Sequence, residues 1–148
     1  MEKHELHPEI RWSDLDPNFH LRHSAYYDLG AYCRVSFLNT QGLTPEIMLQ
    51  HRIGPILLRE ECLFRKEIKF GDTLTINQML DKANEDFSRW TMVHEITKSE
   101  GVLAAVITND GAWMDTQLRK LTKLPPPFES VFQGMPTTIN YKGREKSY

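Results

Sequence analysis

Hydrophobic and polar positions change rhythm several times along the chain. Ile10, Trp12 and Asp14 alternate with Arg11 and Ser13, a period of two that predicts a short first strand. From Ser24 to about Phe37 the period lengthens. Tyr26, Leu29, Gly30, Cys33 and Phe37 share one helical face, while Ala25, Tyr32 and Val35 widen it, which predicts a helix buried on several sides. Ser24 suits the N-cap of that helix, and Gly42 suits the chain reversal after it. Thr44 as cap and Pro45 at the first helical position open a short second helix through Ile47, Met48 and His51.

The period then returns to two. Residues 56–66 alternate, Leu74 and Ile76 begin a strand after the turn Phe70-Gly71-Asp72, and Phe87 to Thr97 sets Trp90, Met92, His94 and Ile96 on one face. Val102 to Asp115 starts with six apolar residues without alternation, as in a strand covered on both faces. The polar turns at 81–86 and 98–101 are short, so consecutive strands should pair antiparallel. Residues 128–132 predict a helical turn, and 136–148 read as a loose polar tail. The order of strand, buried helix, short helix and four strands predicts an α+β fold, a curled antiparallel sheet around a long central helix, in a single domain over 1–135. One helix cannot cover such a sheet and its edges, so a homodimer is expected.

Composition narrows the class of protein. The chain has 148 residues, 40% apolar and 26% charged, with a net charge of -2. That is an ordinary globular balance with no electrostatic reason to expect nucleic acid or anionic lipid as a partner. Cys33 and Cys62 form no CxxC or zinc-like spacing, no apolar run approaches a membrane span, and the start of the chain lacks the apolar core of a signal peptide. A reduced, cytoplasmic protein is the expectation.

Candidate chemistry concentrates between the first strand and the long helix, in Asp14-Leu15-Asp16-Pro17-Asn18-Phe19-His20-Leu21-Arg22-His23-Ser24-Ala25-Tyr26. A helix start carries roughly half a positive charge on free amides, enough to polarise a carbonyl oxygen. Asp16 beside it could attack the carbonyl carbon or activate water, and His23 could orient water or assist a leaving thiolate. Thioesters suit so small a site because thiolate leaves readily. Taken alone, an Asp ahead of a helix is more often a cap or turn former, Asp14 and His20 read as supports, His94 as a hydrogen-bonded core histidine, and Tyr26, Tyr27 and Tyr32 as packing.

The same stretch resembles the signature of hotdog-fold acyl-CoA thioesterases of the 4-hydroxybenzoyl-CoA thioesterase-like family, D-x-D-x-x-G-H-V-N-N-x-x-Y. Asp14, Asp16, His20 and Tyr26 match it, and His23 matches a variant with histidine at the second Asn. Ile53 to Arg59, Lys69 to Leu74, and Trp113 to Asp115 followed by Arg119 and Leu124-Pro125 resemble later family segments in the expected order, over residues 8–128. The resemblance implies a hotdog fold, Asp16 as catalytic carboxylate, His23 as auxiliary residue, and the helix start at Ser24, Ala25 and Tyr26 as substrate-binding. It implies an acyl-CoA or acyl-carrier-protein thioester as substrate, no metal or redox cofactor, and sites at the interfaces of a homodimer or homotetramer. Three positions depart: Phe19 replaces the glycine, Arg22 the first asparagine, and Ala31 stands where many members carry glutamate. Two alternatives stay open, a non-catalytic hotdog protein that binds acyl thioesters or serves in assembly, and a hotdog dehydratase.

Overall fold

The computed structural model describes residues 3–145, with side chains described for residues 3–141. Strand β1 (His4–Leu6) and a 3-10 turn (Trp12–Asp14) precede helices α1 (His23–Thr40) and α2 (Pro45–Gln50). Strands β2 (Ile53–Phe64), β3 (Leu74–Asn84), β4 (Arg89–Lys98), β5 (Val102–Asp115) and β6 (Lys120–Leu121) follow, then α3 (Pro126–Gln133) and β7 (Thr137–Glu145). The main sheet runs β1-β3-β4-β5-β2, antiparallel throughout, with β6 on β5 and β7 parallel to β3. Register shifts at Leu57/Arg59, Leu80/Lys82 and Ile96/Thr97 bend the strands, so the sheet curls around α1. This is the expected hotdog architecture.

The inward periodicity explains why the layers hold. Helix α1 buries Ala25, Tyr26, Gly30, Cys33, Phe37 and Leu38. Cys33 belongs to one core cluster with Ile76, Ile96, Ala105 and Ile107, and Phe37 to a second with Trp90, Trp113 and Phe132. Each such large side chain contributes about 1.5–3 kcal/mol when fully buried. Thr44 caps α2 as expected, its hydroxyl accepting from the Ile47 amide at 3.2 Å. The unbroken apolar start of β5 belongs to a strand flanked by β4 and β2.

His94 is a core histidine, fully buried beneath Gly30 of α1, where an added Cβ would lie 3.4 Å from its ring. Its Nδ1 lies 2.9 Å from the Asn77 carbonyl, which can only accept, so Nδ1 carries the proton and Nε2 accepts from Arg34 Nη1 at 3.2 Å. Burial, aided by the Arg34 charge, pushes the imidazole pKa down to about 3. A histidine held neutral stabilises the fold fully above its unfolded pKa of about 6.5, and that stability is lost as pH falls from there toward 3. Urea unfolding at pH 7, 6 and 5 should therefore show stability falling by up to about 1.4 kcal/mol per pH unit below 6.5, and His94→Gln should flatten that slope.

Four local expectations are corrected. Ile10 to Asp14 is no strand: the Asp14 carboxylate reaches back to the Arg11 amide at 2.9 Å and tightens the chain into a 3-10 turn that leaves Trp12 exposed. Helix α1 starts at His23, with Arg22 rather than Ser24 at the cap. Strand β3 runs on to Asn84, so the turn before β4 is shorter than 81–86. Residues 137–145 of the expected loose tail instead form β7, where the Pro136 carbonyl accepts from Leu80 at 2.7 Å, the Thr138 hydroxyl donates to Asp81 at 2.6 Å, and Tyr141 packs on the core. Residues 146–148 lie outside the described residues.

Candidate active site

The loop before α1 folds on its own polar atoms. Asp16 donates its amide to the His20 carbonyl at 2.8 Å, and its Oδ1 accepts from the amides of Asn18 at 2.9 Å and His20 at 3.1 Å. One carboxylate oxygen is thus tied down, while Oδ2 makes no hydrogen bond among the described residues. Phe19, at the family's glycine position, holds φ +63°, a left-handed conformation in which a Cβ costs about 1–2 kcal/mol. The loop keeps the glycine-like backbone despite the substitution. Phe19→Gly should therefore unfold at higher urea than Phe19→Ala, by about 1 kcal/mol, since both lose the ring packed 5.8 Å from Trp12 and only glycine relieves the strain.

Arg22 clamps this loop to the helix. Its Nε donates to the Ser13 carbonyl at 3.1 Å, its Nη1 to the Ser24 hydroxyl, and its Nη2 lies 3.5 Å from Asp28 and 3.8 Å from Asp14. Asp14 is buried, and the hydrogen bond from the Arg11 guanidinium holds its carboxyl below the usual range. These residues shape the loop and leave Asp16 to face the cleft. Because an arginine stands at the cap, no side chain accepts from the first amides of α1. The His23 and Ser24 amides have no acceptor among the described residues, so the positive end of the helix is available to an external oxygen.

A cleft of about 360 Å³ opens at this junction, lined by Asp16, His20, His23, Tyr26, Phe64 and Lys66 among others. Its second wall is the end of β2 and the segment after it, brought over by the Leu21 amide donating to Ile68 at 2.7 Å and by a bridge between His20 and Lys69. Tyr26 is buried against Phe64, ring centroids 4.9 Å apart, and burial raises its phenol pKa above the ordinary value. His20 Nε2 lies 3.5 Å from the Glu67 carboxylate.

Of the residues singled out from sequence, Asp16, His23 and Tyr26 meet in this cleft. The Ser24 hydroxyl is engaged by Arg22, and Ala25 is buried in the core behind it. Phe64, Arg65 and Lys66 were not anticipated. They stand at the end of β2 and just beyond it with nothing local to mark them, and the long-range bridges at Ile68 and Lys69 hold this segment against the Asp16 loop.

A family model described as the thioesterase-like superfamily matches residues 10–132. The chain belongs to this superfamily. Membership makes it an enzyme of the thioester-hydrolase class. Solved structures agree in fold at low identity. A hypothetical protein of Staphylococcus aureus, SAV2348, solved in complex with CoA, is 17% identical with a TM-score of 0.86, over 95% of this chain and 90% of that one. Slr0204, a 1,4-dihydroxy-2-naphthoyl-CoA thioesterase from Synechocystis, is 17% identical with a TM-score of 0.80, over 90% and 97%. YbaW, a probable thioesterase of Escherichia coli, is 20% identical with a TM-score of 0.76, over 88% and 97%. No curated protein matches the chain. No helix among the described residues is long and apolar enough to cross a membrane.

Proposed function

We propose that the chain hydrolyses an acyl-CoA, or an acyl-carrier-protein thioester, to free acid and thiol at the Asp16 cleft. The observation that carries this reading is the half-tethered Asp16 carboxylate beside a helix start with no side-chain cap. The thioester carbonyl oxygen accepts from the amides at the start of α1, which stabilise the charge that builds on it. Asp16 Oδ2 attacks the carbonyl carbon, or takes a proton from a water that does. The C–S bond then breaks and the thiolate leaves, with His23, which lines the same cleft, as the proton donor to the sulfur; where Asp16 itself has attacked, water then cleaves the acyl–Asp16 anhydride, releasing the free acid and restoring the carboxylate. The CoA complex of the Staphylococcus aureus neighbour supports a CoA thioester as the substrate. Thiol release by the purified chain, set against Asp16→Asn, tests this reading. Acyl-CoA binding without turnover, insensitive to that substitution, would favour the non-catalytic alternative.

The working unit is proposed to be a homodimer joined through β2. This twelve-residue strand ends the main sheet, and Leu57, Leu58, Leu63 and Phe64 on it are about half exposed, as are Tyr32 and Val35 on α1. An open apolar edge of that length calls for a partner strand. Antiparallel pairing about a two-fold axis sets the start of one β2 beside the end of the other, so the Asp16 cleft is completed by the second subunit. Sedimentation should give a dimer or tetramer for the wild type and a smaller species for Leu63→Glu. A monomeric wild type with full activity would contradict the proposal.

A further inference from the structure

Three aromatic rings stand in solvent beside the Asp16 cleft. Trp12 is 74% exposed, Phe70 60% and Phe19 56%. Trp12 belongs to the 3-10 turn, with its ring 5.8 Å from that of Phe19, and the Phe70 amide donates to the Phe19 carbonyl at 3.3 Å. Phe19 and Phe70 are the chain neighbours of His20 and Lys69, whose bridge joins the two walls of the cleft. The rings therefore sit on its rim. Exposed apolar groups gathered in one place mark a contact surface.

The fold itself does not call for Phe19. At φ +63° glycine is the more comfortable residue, and a ring more than half exposed recovers little of the strain by burial. A residue kept against the preference of its own backbone points to a use outside the fold. Together the three rings offer roughly 400 Å² of open surface, about half of the 800 Å² that each partner gives to a standard protein interface. They lie on a turn and two loops, away from the β2 edge proposed to pair subunits. That is too little for a stable subunit contact. It is enough for a lipid interface, which asks for no matching shape and takes Trp and Phe at headgroup depth. The cleft beside the rings carries both signs of charge, Asp16 and Glu67 with Arg65 and Lys66, so the contact does not depend on an anionic surface.

We infer that Trp12, Phe19 and Phe70 form a docking rim that seats the mouth of the Asp16 cleft on the surface of a zwitterionic lipid bilayer. Docked in this way, the cleft lies at headgroup depth, where the thioester of a long-chain acyl-CoA stands when its chain is dissolved in lipid. That use rests on the hydrolase reading above; the lipid contact itself does not.

Flotation with phosphatidylcholine vesicles and the emission of Trp12 test the contact without turnover. Trp90 and Trp113 are buried, so Trp12 is the one tryptophan of the three placed to meet lipid. The wild type should float with the vesicles, Trp12 emission should shift to the blue, and lipid brominated on its acyl chains should quench it. Binding should survive high salt. Phe19→Gly should lower the partition coefficient at least threefold although it relieves the backbone, and Phe70→Ser should do the same. Combining both with Trp12→Ser should lower it at least tenfold. Asp16→Asn should bind vesicles like the wild type, so binding by a protein that cleaves no thioester would leave this inference standing while the hydrolase reading fell. A wild type that stays off the vesicles, or binding that needs anionic lipid and vanishes in salt, would overturn the inference. So would a smaller oligomer for the triple variant without lipid, which would make the rings a contact between copies of the chain.

Discussion

Asp16→Asn is expected to fold like the wild type and to lose about a thousandfold in kcat for thiol release. The two halves of this expectation come from different atoms of one side chain. Oδ1 holds the loop by accepting from the Asn18 and His20 amides, and an asparagine carbonyl oxygen accepts from both equally well. In the proposed mechanism Oδ2 is the reacting atom, and an amide nitrogen there can neither attack a carbonyl carbon nor take a proton from water. Removing a positioned general base or nucleophile costs about a hundredfold to ten-thousandfold. Asp16→Ala loses both functions, so it should be as inactive as Asp16→Asn and also less stable, by about 1–2 kcal/mol, for want of the loop's acceptor. Circular dichroism and urea unfolding separate the two variants, and thiol release alone cannot. If Asp16→Asn retained more than a tenth of the wild-type rate, the carboxylate would not be the reacting group.

Gly111→Ala is expected to be the most damaging single-methyl change in the sheet, lowering stability by about 3 kcal/mol or more. A Cβ at this position of β5 would lie 2.1 Å from Trp90 Cη2, 2.3 Å from Cζ2 and 2.6 Å from Cζ3. The obstacle is the rigid face of an indole, and Trp90 is itself buried, with its ring 6.3 Å from that of Phe132 in the core cluster. Overpacking a core commonly costs about 1–3 kcal/mol, and the upper end applies where neither side can yield. For a chain this size that is a fall of about 10 °C in melting temperature. Because the cause is a collision between two groups, Trp90→Leu should partly rescue Gly111→Ala, and the double variant should be more stable than the sum of the single effects. Strict additivity would show that the glycine serves the backbone and not the indole.

The sequence made the frame legible where periodicity was long. β4 and β5 follow from the alternation of Trp90, Met92, His94 and Ile96 and from the unbroken run after Val102, because burial on one or both faces of a strand writes those patterns directly. Short patterns misled. Ile10-Trp12-Asp14 alternates over too few residues to outweigh an Asp that hydrogen-bonds its own backbone three residues back. β7 was hidden because it is a polar segment at the sheet's other edge, joined to β3.

The site was legible in the same uneven way. Asp16, His23 and Tyr26 are neighbours in sequence and meet in one cleft. Its opposite wall arrives from about forty residues downstream, and the Arg34–His94 contact beneath α1 joins residues sixty apart. No local pattern encodes such pairings, which are set by the curl of the sheet around α1. The departures also changed meaning once placed in three dimensions. Phe19 accepts the glycine's backbone conformation, Arg22 becomes the clamp that leaves the helix start uncapped, and Ala31 lines a cavity.

The central claim is that this cleft cleaves thioesters, and product analysis of the wild type tests it most directly. Purified protein incubated with acetyl-, hexanoyl-, benzoyl- and palmitoyl-CoA, in parallel with Asp16→Asn, should yield free CoA and the matching carboxylic acid in equal amounts from at least one substrate, and almost none with the variant. A folded wild type that leaves every thioester intact, or yields CoA at the same rate with and without the Asp16 carboxylate, would contradict the account.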